Sequence, residues 1–114
     1  MDHKELSVWK ESVRMVTDIY SITKKFPKEE KFGLTNQIRR AVVSIPSNIA
    51  EGAARSSNKE FKQFLYIALG SLSELETQLI ISNNLNYAKD IGLGNKLVDI
   101  RKMILGLIKY LNKN

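Results

Sequence analysis

Apolar positions recur along the chain at steps of three and four in four separate blocks, and almost nowhere at a step of two, which predicts helices rather than sheet. The first block places Leu6, Trp9, Val13, Val16, Tyr20 and Thr23 on one stripe and ends at Phe26-Pro27, because the residue before a proline is pushed out of the α region. The second runs from about Lys28 to Arg55, with Leu34, Ile38, Val42, Ile45, Ile49 and Gly52 in register. Ser57-Asn58-Lys59-Glu60 then reads as a capping box, the serine oxygen taking an orphan amide and the glutamate reaching back. A third helix starts there and steps regularly through Phe61, Leu65, Ala68, Leu72, Leu75, Leu79 and Ser82, the seam of a helical bundle. It stops in Asn83-Asn84-Leu85-Asn86, whose amide side chains compete for backbone groups. The fourth block uses Leu93, Leu97, Ile100, Ile104, Leu107 and Leu111, its start blurred by Gly92 and Gly94. Four helices of about 20 residues, each near 30 Å long, joined by short connections, predict an all-α, antiparallel up-down-up-down four-helix bundle that takes residues 1–114 as one domain.

Two residues interrupt this regularity. Pro46 lacks the amide that would bond to Val42, so the second helix is expected to be kinked there; the alternative is a true break with Asn48 and Glu51 capping a short second segment. Ser44, Ser47 and Asn48 flank the proline and can satisfy the freed groups or face a partner. Gly70, in mid-helix, costs about 1 kcal/mol relative to alanine and suggests a close backbone approach.

The third helix also carries Phe64, Tyr66, Ile67, Leu69, Ile80 and Ile81 off its seam, and the second adds Ala41, Val42, Val43, Ala50, Ala53 and Ala54. A helix apolar on every side is buried on every side, whereas a lone four-helix bundle leaves one face of each helix to water. Copies of the chain are therefore expected to associate.

Composition narrows the chemistry. With no cysteine, no disulfide, iron–sulfur cluster, thiolate zinc site or thiol nucleophile can form. The one histidine, His3, is expected as a solvated side chain in a frayed terminus. Glu74 and Glu76 diverge around their helix, no Glu-x-x-His motif accompanies them, and neither a metal nor a cofactor is expected. Gly92-Leu93-Gly94-Asn95-Lys96 lacks the further glycine, the Ser or Thr after lysine and the preceding strand of a phosphate loop, so it reads as a helix entry. Ser and Lys are abundant, but no spacing singles out a nucleophilic pair, and no catalytic residue is assigned. The N-terminus has no signal-peptide core and no membrane-spanning run is read, so the expected location is cytoplasmic.

Eighteen Lys and Arg against twelve Asp and Glu give a net charge of +6, which points to polyanions. Lys10 and Arg14 lie a turn apart on the first helix, Arg39 and Arg40 sit in the second, and Arg55, Lys59 and Lys62 surround the junction of the second and third. Arginine forks suit phosphate oxygens, and association would repeat each weak patch, so RNA or DNA backbone bound with little base specificity is the leading expectation. Glu51 and Arg55, four apart, are expected as an exposed pair or as part of an interface. Trp9, Phe61 and Phe64 at helical spacing are expected in the core rather than as base-stacking platforms. The competing expectation is a protein-interaction adaptor docking through the apolar second and third helices.

The run from Gly33 to Gly52, containing Arg39-Arg40-Ala41-Val42-Val43-Ser44-Ile45-Pro46-Ser47-Asn48-Ile49-Ala50-Glu51-Gly52, the run from Phe64 to Leu79 and the opening Leu6-Ser7-Val8-Trp9-Lys10 closely resemble the four-helix-bundle family encoded in intervening sequences of bacterial 23S rRNA genes. The resemblance implies a bacterial, cytoplasmic homopentamer, similar to the accessory protein of diversity-generating retroelements, which associates with a reverse transcriptase and with nucleic acid. It implies no enzymatic activity. It places the second and third helices in the subunit contacts, with Pro46, Phe64, Ile67 and Gly70 as candidate contact positions.

Overall fold

A computed structural model describes residues 1–88 and 92–113. Four α-helices fold antiparallel: α1 Ser7–Thr23, α2 Leu34–Ala53, α3 Asn58–Asn84 and α4 Gly94–Asn112. α1 packs on α2 and α4, α3 packs on α2 and α4, and the diagonal pairs do not approach one another among the described residues. The result is a square up-down-up-down bundle measuring 46 × 24 × 20 Å.

The α3 seam is buried as the spacing predicts, from Phe61 through Leu65, Ala68, Leu72 and Leu75 to Leu79 and Ser82. In α1 the buried residues are Val8, Ser12, Met15, Ile19 and Thr23: Thr23 lies on the predicted stripe, the other four each fall one position, about 100°, before a predicted residue, and Leu6, Trp9 and Val16 are partly buried against the core. Val13 and Tyr20 are exposed instead. Ser12 misleads the pattern: it is fully buried, and its hydroxyl donates to the Trp9 carbonyl at 2.9 Å, so a polar residue occupies a core position at no loss of hydrogen bonding. α4 buries Ile108, with Leu107 only partly covered.

The element ends follow local chemistry. The second block starts later than predicted, because Lys28–Glu30 winds as a 3-10 turn and Gly33, at φ −111° and ψ −114°, separates it from α2. Ser57 Oγ accepts the Glu60 amide at 3.2 Å, while the Glu60 carboxylate takes the Ser57 hydroxyl rather than its amide. α3 ends in a Schellman motif: Asn86 adopts φ 61°, its amide bonds to Asn83 O and that of Tyr87 to Ser82 O. Gly92, also at positive φ, precedes the entry to α4 at Gly94. His3 is not frayed. It lies in a 3-10 turn, His3–Glu5, with Asp2 accepting the Lys4 amide, and its ring meets Trp9 edge-on at 5.1 Å.

α2 runs from Leu34 to Ala53 with Pro46 inside it, so the alternative of a true break is not what the chain adopts. Asn48 Nδ2 donates to the Ser44 carbonyl at 2.8 Å and to Ser44 Oγ at 2.9 Å, and Ser44 shares a hydrogen bond with Ser71 of α3. Of the polar residues beside the proline, Ser44 thus reaches across to α3 and Asn48 supports it from within α2, while Ser47 is exposed. The close backbone approach falls at Gly52, not Gly70. A Cβ on Gly52 would stand 2.8 Å from Phe64 Cβ and 2.9 Å from Phe61 Cδ1, whereas one on Gly70 would meet nothing within 4 Å. Gly70 faces away from both of α3's neighbours, so within the subunit no approach requires it.

At the end of the bundle away from Gly52, Glu30 ties three segments together. Its Oε1 accepts the Leu34 amide at 3.3 Å, capping α2, and its Oε2 accepts the Tyr87 hydroxyl at 2.8 Å. That hydrogen bond, reinforced by desolvation and by the charges of Glu30 and Glu29, raises Tyr87 above the ordinary tyrosine range. The protonated phenol is the bonded form, so its contribution is complete below the unfolded tyrosine pKa of about 10 and is lost as pH rises through the higher folded value. Urea midpoints of wild type and Tyr87→Phe should therefore differ at pH 8 and draw together as pH rises through the raised folded value of Tyr87; a gap that stays constant would show that the bond to Glu30 contributes nothing.

Candidate nucleic-acid and association surfaces

The seven candidate cations do not gather on one face of the subunit. Lys10 and Arg14 project from α1, and Arg14 is paired with Glu11 one turn earlier. Arg39 and Arg40 are neighbours in sequence with different duties. Arg39 Nε donates to Thr23 Oγ1 at 2.9 Å and its guanidinium stacks over the Tyr20 ring at 4.4 Å, so it fastens α2 to the end of α1. Thr23 can accept because its own proton goes to the Ile19 carbonyl. Arg40 is exposed and, among the described residues, has neither an ion pair nor a side-chain hydrogen bond. It sits over a shallow polar pocket between α2 and α3 with Asn36, Gln37, Glu74 and Gln78, where the buried Gln78 Oε1 has no partner.

Arg55, Lys59 and Lys62 lie at the same end of the bundle, where α2 hands over to α3 and α4 finishes, but Arg55 is on the α2 side of α3 and Lys62 on the α4 side. Arg55 pairs with Glu51 at 3.3 Å and lies 4.7 Å over the Phe64 ring; the pair is solvent-exposed. Lys62 reaches Asn112 of α4 at 2.6 Å, which brings Lys109 and Lys113 to the same end. Lys59 is unpaired among the described residues. Lys4, in the 3-10 turn before α1, lies at the same end; the acids there are Asp2, Glu5, Glu51 and Glu60.

Of the candidate contact positions, Pro46 is buried inside the subunit and shapes α2 rather than offering surface. Phe64 is half-covered by Gly52 and Arg55. Ile67 and Gly70 are exposed, and with Tyr66 and Ile81 they form the outer face of α3, where Tyr66 remains 58% and Ile67 50% exposed. Of the apolar residues in α2, Ala41, Val42 and Ala53 are core, while Val43 and Ala54 are exposed. Trp9 and Phe61 are packed as expected.

The sequence reading overlooked Phe32. It is 86% exposed, the most exposed large hydrophobic side chain among the described residues, and Lys31 Nζ lies 5.3 Å from its ring centroid. Its signal in the sequence is that it falls outside every helical register, between a lysine and a glycine.

A groove of about 550 Å³ between α1 and α4 carries Glu11, Arg14, Asp18, Lys96, Asp99 and Lys102, with Lys96 bridging Asp18 at 2.9 Å. Acids and bases alternate there, so its field favours neither sign. No group of three metal-ligating side chains occurs among the described residues. The sequence profile of 23S rRNA-intervening sequence proteins matches residues 4–106, nearly the whole bundle. The chain belongs to that family. No curated protein matches it. The intervening sequence protein profile spans all four helices and stops inside α4. α3 is long and apolar enough to cross a membrane, yet its seam is core and it packs between α2 and α4.

Proposed function

We propose that this intervening sequence protein is a non-catalytic scaffold that associates with copies of itself and holds nucleic-acid backbone on repeated basic patches. The observation that supports it most is the placement of Arg55, Lys59 and Lys62, with the α4 terminus, around one end of the bundle. Each patch is weak alone, and an assembly multiplies it. By resemblance the assembly is a pentamer.

Fluorescence anisotropy with a labelled RNA or DNA oligomer tests this reading. Binding at low salt should weaken linearly on a log–log salt plot, and charge reversal at Arg55, Lys59 and Lys62 should lower affinity more than about 10-fold. No binding at about 50 mM salt would refute it. Arg39 is left intact because its loss would loosen α2 from α1. The second reading, a protein-interaction adaptor, is favoured by the exposed α3 face and would survive the same charge reversal.

A further inference from the structure

We propose that the α1–α2 connection is a binding tip for single-stranded nucleic acid, in which Phe32 stacks on an unpaired base and Lys24, Lys25, Lys28 and Lys31 hold the flanking phosphates. The inference rests on the nucleic-acid reading but uses the opposite end of the bundle from Arg55, Lys59 and Lys62.

The tip is ordered without help from Phe32. Consecutive turns close on backbone hydrogen bonds from Phe26 to Thr23, Glu30 to Pro27, Lys31 to Lys28 and Gly33 to Glu30. Phe26 is buried beneath them, its ring 5.6 Å from that of Tyr87. Glu30 is spent on the Leu34 amide and the Tyr87 hydroxyl, and its Oε1 lies 2.8 Å from where a Cβ on Gly33 would stand. The geometry thus holds an aromatic ring out in solvent on a preformed base, and Lys31 over it marks that ring as a cation-accepting π surface.

An exposed ring with one lysine over it, on a connection that carries three more exposed lysines, matches the way sequence-tolerant single-strand binders work, with stacking supplied by the aromatic and phosphate neutralisation by lysines. A duplex offers no free base face inside its stack. One ring with its apolar neighbours turned inward is too little surface to hold to a bilayer, where stable attachment takes larger apolar area. Docking of the tip on the same tip of another copy would bring lysines against lysines. Glu29, the one acid of the tip not engaged with Tyr87 or Leu34, lowers the local charge but leaves it positive.

Anisotropy titrations of full-length wild type, Phe32→Ala and Phe32→Trp against a labelled single-stranded uridine oligomer and a duplex of equal length test the proposal. Because Phe32 packs on nothing in the core, both variants should melt like wild type. Phe32→Ala should bind the single strand about 10-fold more weakly, Phe32→Trp should retain affinity, and duplex binding should be unchanged. Lys28→Gln with Lys31→Gln should reduce the salt slope by about 1.4. Unchanged single-strand binding by Phe32→Ala overturns the tip while leaving the Arg55–Lys59–Lys62 reading intact. Loss of binding to phosphatidylserine vesicles in that variant, with RNA binding unaffected, overturns it in favour of a membrane contact. Failure of wild type to bind either oligomer overturns both readings.

Discussion

Replacing Gly52 by valine should destabilise the bundle by about 3 kcal/mol or more, and Gly52→Ala by about 1–3 kcal/mol, despite the higher helix propensity of both residues. The reason is geometric. The first atom added at Gly52 stands 2.8 Å from Phe64 Cβ, 2.9 Å from Phe61 Cδ1 and 3.2 Å from the Phe61 carbonyl, so α2 and α3 must move apart along their tightest contact. Only the ring carbon could swing aside; the Cβ and the carbonyl belong to the α3 framework. Gly106→Ala in α4 is the control, because nothing lies within 4 Å of its added carbon, and it should gain about 0.5–1 kcal/mol. Urea midpoints of the three variants check the pair of signs. A neutral Gly52→Ala would mean that the α2–α3 contact is looser than these distances.

The second large effect concerns association. Ile67→Glu should convert the assembly to single subunits of 13.0 kDa while leaving helical content unchanged, because Ile67 contributes to no buried core position and is half exposed in the subunit. A charge placed on that face would have to be desolvated without a partner when copies meet, at a cost well above the few kcal/mol that one apolar contact returns. Light scattering after size-exclusion chromatography reads the outcome. If the variant keeps the wild-type mass, the outer face of α3 is not where copies meet.

The fold was legible because three of the four helices announce their buried stripes through uninterrupted apolar spacing, and the α3 seam is covered position for position. α1 was misread by one position because Ser12 satisfies its hydroxyl on its own helix, an arrangement that polarity alone does not reveal. The two glycines illustrate the same limit. Both stand in helices, and only the three-dimensional neighbour distinguishes Gly52, pressed against two phenylalanines, from Gly70, which faces open space. Among the candidate cations, sequence could not separate Arg39, committed to Thr23 and Tyr20, from Arg40 beside it, because the difference lies in which side of α2 meets α1. Phe32 escaped for the opposite reason: periodicity finds residues that repeat, and a single aromatic on a turn repeats with nothing.

The most direct test of the account is the mass of the unaltered chain in solution at micromolar concentration. The exposed Tyr66 and Ile67 beside Gly70, with Ile81 further along α3, predict a multiple of 13.0 kDa; the proposed pentamer would weigh about 65 kDa. A single species of 13.0 kDa under the same conditions would contradict it, since that face of α3 would then be content in water.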